Sequence, residues 1–457
     1  MIQKISMALI GALILMAGCS ANSNISQSED QVSFITLDPG HFHAALVQKT
    51  MYEGVSPTVN VYAPEGPDVK DHLKRIEGFN TRTQAPTNWT EKVYTGDDFL
   101  QKMIDQKKGN VVVVSGNNSK KTDYIYKSVD AGFNVLADKP MVIIPEKFDL
   151  LLEAFDTAEK NDVLLYDIMT ERYEITTILQ KELSQIEPLF GGLVAGTPDN
   201  PAVTKESVHH FFKYVAGNPI KRPGWFFDPE QRGEGLSDVS THLVDLIQWE
   251  CFPGQIIDYK SDIKMLDARR WTTSMTKEQF SKVTGLEPYP DYLSQYVEGD
   301  KLNVYSNGEM NYVINGVHAK VSVAWNYQAP EGAGDTHYSI MRGNRADLII
   351  RQGEKEGYKP TLYVEAVNGS EIAAQLKKAV QQTLQNKYPG IALEQLTDGK
   401  WKVVIPDKYR VGHEAHFAQV TEKYLNFLEQ GRMPEWEVPN MIAKYYTTMQ
   451  ALETASK

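Results

Sequence analysis

Four consecutive valines, Val111 to Val114, most constrain the fold of this chain. An unbroken β-branched run suits a strand buried on both faces, as at the centre of a parallel sheet with helices on each side. The flanking sequence repeats the signal, because short apolar runs alternate with helix-periodic segments over residues 32–166. That alternation is the pattern of βαβ units. Strands are expected at 32–37, 58–62, 92–94, 110–114, 134–137 and 163–166, and helices at 44–52, 97–107, 121–131 and 146–160.

Beyond residue 166 the pattern changes. A helix at 174–183 precedes strands at 192–195, 208–214, 303–306, 309–314, 319–325, 338–342 and 346–351, which are separated by long loops. Strands clustered in this way predict an open, mainly antiparallel sheet. A helix at 238–250 interrupts them, residues 353–410 read as an insertion, and helices at 413–430 and 440–456 close the chain. The expected fold class is α/β: a Rossmann-like doubly wound parallel sheet at 32–166, then an α+β domain at 167–457 with an open sheet. Any homo-oligomer is expected to form through that second sheet.

Residues 1–18 read as a processing signal, with Lys4 ahead of an apolar stretch at 5–15 too short to span a bilayer. Met16-Ala17-Gly18-Cys19 resembles a bacterial lipobox, which implies acylation of Cys19 and a lipid anchor in the cell envelope, on the periplasmic or outer-membrane face. The polar Ser/Asn-rich segment at 19–31 then serves as a tether. Only Cys251 remains beyond Cys19, so the processed chain forms no internal disulfide. Losing residues 1–18 removes one charge, that of Lys4, and moves the formal net charge from −12 to −13. An acidic balance of this size argues against nucleic acid and against an electrostatic grip on anionic lipid. A neutral small molecule is the expected partner, with the membrane reached only through the lipid.

The first βα turn reads Asp38-Pro39-Gly40-His41-Phe42-His43. A dinucleotide-binding unit places G-x-G-x-x-G here, so that backbone approaches the pyrophosphate at a helix N-terminus. Only the middle glycine is kept, as Gly40; Asp38 and His43 replace the other two. Asp38, Gly40, His41 and Phe42 are the candidate cofactor contacts of this loop, and an ordinary strand-to-helix turn is the alternative. Ser115-Gly116-Asn117 ends the valine strand on the ligand-binding edge of the sheet and joins them. At the end of the second strand Ala63 stands where a ribose-binding acid is expected, with Glu65 as a substitute.

Asp138-Lys139-Pro140 follows the next strand on the same edge, and a lysine there can order a hydroxyl and bias its proton. About a hundred residues later comes Gly235-Leu-Ser-Asp238-Val-Ser-Thr-His242-Leu-Val-Asp245. Asp238 and His242 are four apart, hence on one helix face, where a carboxylate fixes an imidazole's tautomer for use as a general base. The alternative is Asp238 as an N-cap. These residues, in this order and spacing, resemble the Gfo/Idh/MocA oxidoreductases. The resemblance runs from about residue 32 to 350 and resumes after His413; Asp138 stands where the family usually has glutamate. It implies NAD or NADP as cofactor, a saccharide or related polyol as substrate, and Lys139, Asp238 and His242 as the catalytic set, with Asp138 at the cofactor. Some relatives oxidise transiently to eliminate a glycosidic substituent, so a glycosidase with recycled cofactor is an alternative. A saccharide-binding lipoprotein without catalysis is another.

Arg172 and Trp225 are the leading candidates for the substrate side, since guanidinium binds hydroxyls and indole stacks on sugar rings. Lys213, Tyr327 and His337 follow them. His41 with His43 also resembles the paired metal ligands of amidohydrolases, but eight βα units and further ligands are missing. His209 and His210 face opposite ways in a strand, and His413 with His416 lack a carboxylate or thiol partner in the sequence, so no metal is expected.

Overall fold

The six apolar runs of the first half pair side by side and all in one direction. In a computed structural model that describes residues 31–215, 218–330 and 333–457, they are β1 (Phe34–Leu37), β2 (Thr58–Ala63), β3 (Thr90–Thr95), β4 (Val111–Val114), β5 (Asn134–Asp138) and β6 (Leu165–Ile168). The order across the sheet is β3-β2-β1-β4-β5-β6, every pair parallel. The valines of β4 are at most 2 % exposed, as a doubly covered central strand requires. Strand order reverses between β1 and β4, and that switch point is where open parallel sheets bind ligands.

Helices α1 (His43–Val47), α2 (Pro67–Thr81), α3 (Phe99–Gln106), α4 (Asn118–Asp130) and α5 (Phe148–Lys160) connect these strands. Two differ from expectation. The first stops at Val47, five residues short of the predicted end, and α2 was not anticipated. Only Val69, His72 and Ile76 of its fifteen residues are buried, so its apolar stripe is too thin to stand out in sequence.

The second sheet runs Ile263–Thr276, Lys301–Ile314, Val317–Gln328, Val203–Phe212, Thr336–Arg342, Ala346–Arg351, Thr361–Ala366, Lys400–Val404 and Ala392–Thr397. All neighbours are antiparallel except Val203–Phe212 with Val317–Gln328. The predicted strands at 303–306 and 309–314 are one continuous strand, and 192–195 contributes only an isolated bridge from Leu193 to Gly343. Ile263–Thr276 was missed because this edge strand is largely open to solvent and carries little hydrophobic alternation. The expected insertion at 353–410 is built onto the far edge of the sheet, with Leu362, Val364 and Trp401 buried there.

Two closing helices, His413–Gln430 and Glu437–Ala455, return to the first sheet. Their Phe417, Tyr424, Met441 and Tyr445 lie in the same apolar cluster as β1, β4 and β5, so residues 32–457 form one compact unit. The expected processing signal, Cys19 and the expected tether as far as residue 30 lie outside the described residues. No helix among the described residues is long and apolar enough to cross a membrane.

Candidate active site

The loop after β1 turns without the glycine that a dinucleotide fingerprint would place first. Asp38 itself adopts the left-handed conformation, φ 44°, and its carboxylate accepts a hydrogen bond from the buried Tyr124 hydroxyl at 2.8 Å. Gly116, after β4, faces this loop: a Cβ there would lie 2.2 Å from the Asp38 carbonyl oxygen, so only glycine lets the two loops touch. Asn117 accepts from the Ser119 amide to cap α4, and its side-chain nitrogen donates to Gln231 at 2.7 Å. The neighbouring Asn118 donates to the Arg232 carbonyl, so the second half of the chain reaches over the cofactor edge of the first.

This crevice fits a dinucleotide in its backbone: the turn conformation is kept, Gly116 permits the close loop contact, and both loops end at the switch point. Its acids differ from expectation. Ala63 closes β2 as predicted, but Glu65 is solvent-exposed beside Lys70. Asp68, in the first turn of α2, is the carboxylate that approaches Gly40, and burial together with nearby Asp38 raises its pKa.

Asp138 ends β5 with its carboxylate turned into the first loop. Its Oδ2 lies 3.0 Å from His43 Nδ1 and 3.5 Å from His41 Nδ1, and it accepts from Ser115 Oγ at 2.9 Å. Burial opposes ionisation of this group, yet the imidazoles and Lys121 outweigh burial and hold it well below the usual carboxylate range. Burial also lowers the pKa of both imidazoles, that of His43 well below its ordinary value. Phe42, between them, packs edge-on to His43 with Arg75 over its ring.

Lys139 points across to the second half, where its Nζ donates to Asp238 Oδ1 at 2.6 Å. Arg232 takes the other oxygen, 2.7 Å from Nη2 and 2.9 Å from Nε. Burial works against the Asp238 carboxylate, but these two cations prevail and keep it ionised. The turn that carries it is pressed on the second sheet: a Cβ on Gly235 would meet the Ser306 carbonyl oxygen at 2.2 Å. The helix proper is Ser240–Cys251, so Asp238 precedes it, and its side chain caps nothing.

His242 therefore lacks the carboxylate expected to orient it. Its side chain makes no hydrogen bond among the described residues, and its Nδ1 is buried. Burial, and after it the Lys139 charge, lowers its pKa to about 4, while Glu171 acts in the opposite sense. Glu171 follows β6 and also lies 3.5 Å from His413 Nδ1; the ring of His413 is 5.6 Å from that of His43. The His413 and His416 pair thus does have an acidic neighbour, supplied by a residue more than two hundred positions away.

Arg172 is not on an open substrate face. Its guanidinium is bidentate to Asp245, at 2.7 Å on both bonds, and takes Glu437 on its other edge at 3.0 Å. Lys444 continues the network to Asp245 and Asp167. With Arg172 only 7 % exposed, these pairings are structural, and Asp245 is part of them. Trp225 is half-buried beside Asp68 and so faces the cofactor loop from the second half. On the floor of the second sheet His209 stacks on Trp325 and lies 3.0 Å from Asp335, which also pairs with Lys213. His337, with pKa lowered to about 3 by burial and then by Lys205, feels the charge of Glu171 as His242 does. Glu171, Arg232 and Asp68 were missed in sequence because each acts through a contact that no local spacing announces.

The sequence profile described as "Oxidoreductase family, NAD-binding Rossmann fold" matches residues 69–166, and that described as "Putative oxidoreductase C terminal domain" matches 179–456. The second match includes residues 353–410. A solved "putative oxidoreductase" from Parabacteroides merdae is 58 % identical with TM-score 0.91, over 93 % of this chain and 98 % of that one. At 14 % identity the chain is similar in fold to a solved "putative oxidoreductase" from Thermotoga maritima, with TM-score 0.59 over 93 % and 98 % of the two chains. Levoglucosan dehydrogenase, solved with NADH, is similar at 11 % identity and TM-score 0.58, over 93 % and 97 %. No curated protein matches the chain. With the parallel sheet, the lysine after β5 and the mainly antiparallel second sheet all in place, these matches show that the chain belongs to the Gfo/Idh/MocA family of NAD-binding oxidoreductases.

Proposed function

We propose that this oxidoreductase acts on a hydroxyl of a saccharide or related polyol, with Lys139 and His242 handling the hydroxyl proton. The observation that carries the reading is the Lys139–Asp238 pair beside an imidazole free of hydrogen bonds. Neutral His242 is a proton acceptor, and its proximity to Lys139 places a cation where alkoxide charge develops. Asp238, gripped by Arg232, holds the ammonium in position. Glu171 stabilises the imidazolium once the proton arrives, the part first expected of Asp238.

The chemistry supplied by a bound dinucleotide is acceptance of hydride from the carbinol carbon. Asp38, Gly40, His41, Phe42, Ser115, Gly116, Asn117 and Asp138 are the residues proposed to hold it, with Trp225 reassigned to that side of the crevice. A carbohydrate substrate is supported by the similar fold of levoglucosan dehydrogenase, solved with levoglucosan and with L-sorbose. We further propose export and lipid anchoring through Cys19, which mass spectrometry of the N-terminal peptide from a bacterial host tests directly.

Mass spectrometry of the purified protein for retained dinucleotide, followed by titration with NAD and NADP, tests the cofactor. Retention of one dinucleotide, or saturable binding of either, supports the proposal. A protein that retains none and binds neither at millimolar concentration refutes it.

A further inference from the structure

We infer that His41, His43 and Asp138 form a binding site for one divalent first-row transition-metal ion. One ligand atom from each of the three lies within 4.8 Å of the others. The two imidazole rings meet nearly at right angles, 4.0 Å between centroids, and their Nδ1 atoms stand 3.5 and 3.0 Å from the same carboxylate oxygen. Ligands about 2.0–2.2 Å from a zinc-like ion are separated from one another by about 3 to 3.5 Å. Both imidazole–carboxylate distances are therefore already at the spacing of a coordination sphere, and all three ligand atoms lie within 4.8 Å of one another.

Hydrogen bonding alone explains only part of the arrangement. His43 reaches Asp138 at 3.0 Å, within hydrogen-bond range. His41 does not, and its buried Nδ1 has no hydrogen-bond partner. An ion between the rings and the carboxylate would satisfy that nitrogen. Ser115 donates to Asp138 Oδ2 and Lys121 Nζ to the Asp138 carbonyl, which is the kind of outer support that orients metal ligands. Two imidazoles and one carboxylate leave coordination positions open and suit zinc, manganese or iron better than calcium or magnesium. No metal is expected at His41 and His43 from the sequence because eight βα units and further strand-end ligands are missing; the fold brings one further ligand, Asp138, from 95 residues away. A dinucleotide in the same crevice would use the loop backbone, whereas the ion would use these side chains.

The test is titration of the chelator-treated purified protein with Zn2+ by calorimetry and with Co2+ by visible absorption, together with anomalous scattering from zinc-soaked crystals. The inference expects one ion per chain at micromolar affinity or tighter, and an anomalous peak bonded to all three residues. His41→Ala should weaken binding by more than the about 10- to 100-fold that loss of a supporting hydrogen bond to a ligand costs. His72→Ala, which removes a buried imidazole elsewhere, should leave affinity unchanged. Absence of stoichiometric binding, or a peak away from these residues, overturns the inference, and the crystal result holds even if a variant fails to fold. Dinucleotide binding by a protein that takes up no metal sinks this inference alone.

Discussion

Lys139 Nζ and Asp238 Oδ1 meet at 2.6 Å across 99 residues of sequence, joining the end of a parallel strand to the turn before a helix in the other half. Asp238 thus pairs with the lysine, and the carboxylate that most raises the His242 pKa is Glu171, ahead of Asp245. This division of labour sets different expectations for each residue.

Replacing Lys139 by Met leaves Asp238 paired with Arg232, so the fold should survive with little loss in melting temperature. Turnover should fall by about 10^2- to 10^4-fold, the usual worth of a positioned proton-handling group. Asp238→Ala strands the buried Arg232 as well as the half-buried Lys139 and should cost stability too, about 3–5 kcal/mol as for other broken buried pairs. Thermal melts and steady-state rates on both variants check the contrast. Equal destabilisation by the two would contradict it.

His242 should remain neutral down to about pH 4, since its pKa is lowered to about that value by burial and by Lys139. Lys139→Met removes the cation and should raise the His242 pKa toward its ordinary value; Glu171→Gln should lower it further. Nuclear magnetic resonance titration of the His242 ring in the three proteins reads both directions. Glu171→Gln should also reduce kcat, because the imidazolium loses its partner. An unchanged His242 titration in both variants would remove Lys139 and Glu171 from this role.

Acid should weaken the fold before any carboxylate pair breaks. His72 and His242, lowered to about 4, and His337, lowered to about 3, stay neutral in the folded chain where their unfolded counterparts take up protons near pH 6.5. Their stabilising effect is complete above about pH 6.5 and is lost as pH falls toward 4, by roughly 2 kcal/mol each at pH 5. Glu91, raised to about 7 mainly by burial, acts in the opposite sense over the same window and offsets one of the three. The melting temperature should drop between pH 7 and 5, and His72→Leu should flatten that slope. A slope identical to wild type in His72→Leu would show that this histidine titrates normally.

Arg172→Met should lower stability by about 3–5 kcal/mol, because Asp245 and Glu437 are left buried with reduced compensation. The folded fraction should keep the wild-type KM for the sugar, as the guanidinium lies outside the substrate space. A raised KM with an unchanged melting temperature would return Arg172 to the substrate side.

The first sheet was legible because its strands are short, apolar and regularly spaced, and β4 alone dictates burial on both faces. Helix α2 and the Ile263–Thr276 strand were not, because one buries three residues and the other lies at an exposed edge. Lys139, Asp238 and His242 stand out in the sequence by their positions relative to a strand end and a helix start. Their pairing was misread, since a four-residue spacing argues for contact only inside a regular helix, and Asp238 sits in the turn before it. Arg172 reads as a binding residue because guanidinium binds hydroxyls, yet Asp245 and Glu437, which pair with it, and Lys444, which pairs with Asp245, come from distant helices. Asp138 was placed at the cofactor by resemblance, and its meeting with His41 and His43 depends on two loops that only the folded sheet brings together.

In the proposed dinucleotide-dependent oxidation, Lys139 and His242 together handle the hydroxyl proton. The most direct test is single-turnover reduction of NAD or NADP, followed by absorbance, when the purified protein meets a panel of saccharides and polyols. Reduction by the wild-type protein with at least one saccharide, abolished in both Lys139→Met and His242→Ala with the folds intact, is the predicted result. Reduction at the wild-type rate in either variant would contradict the account.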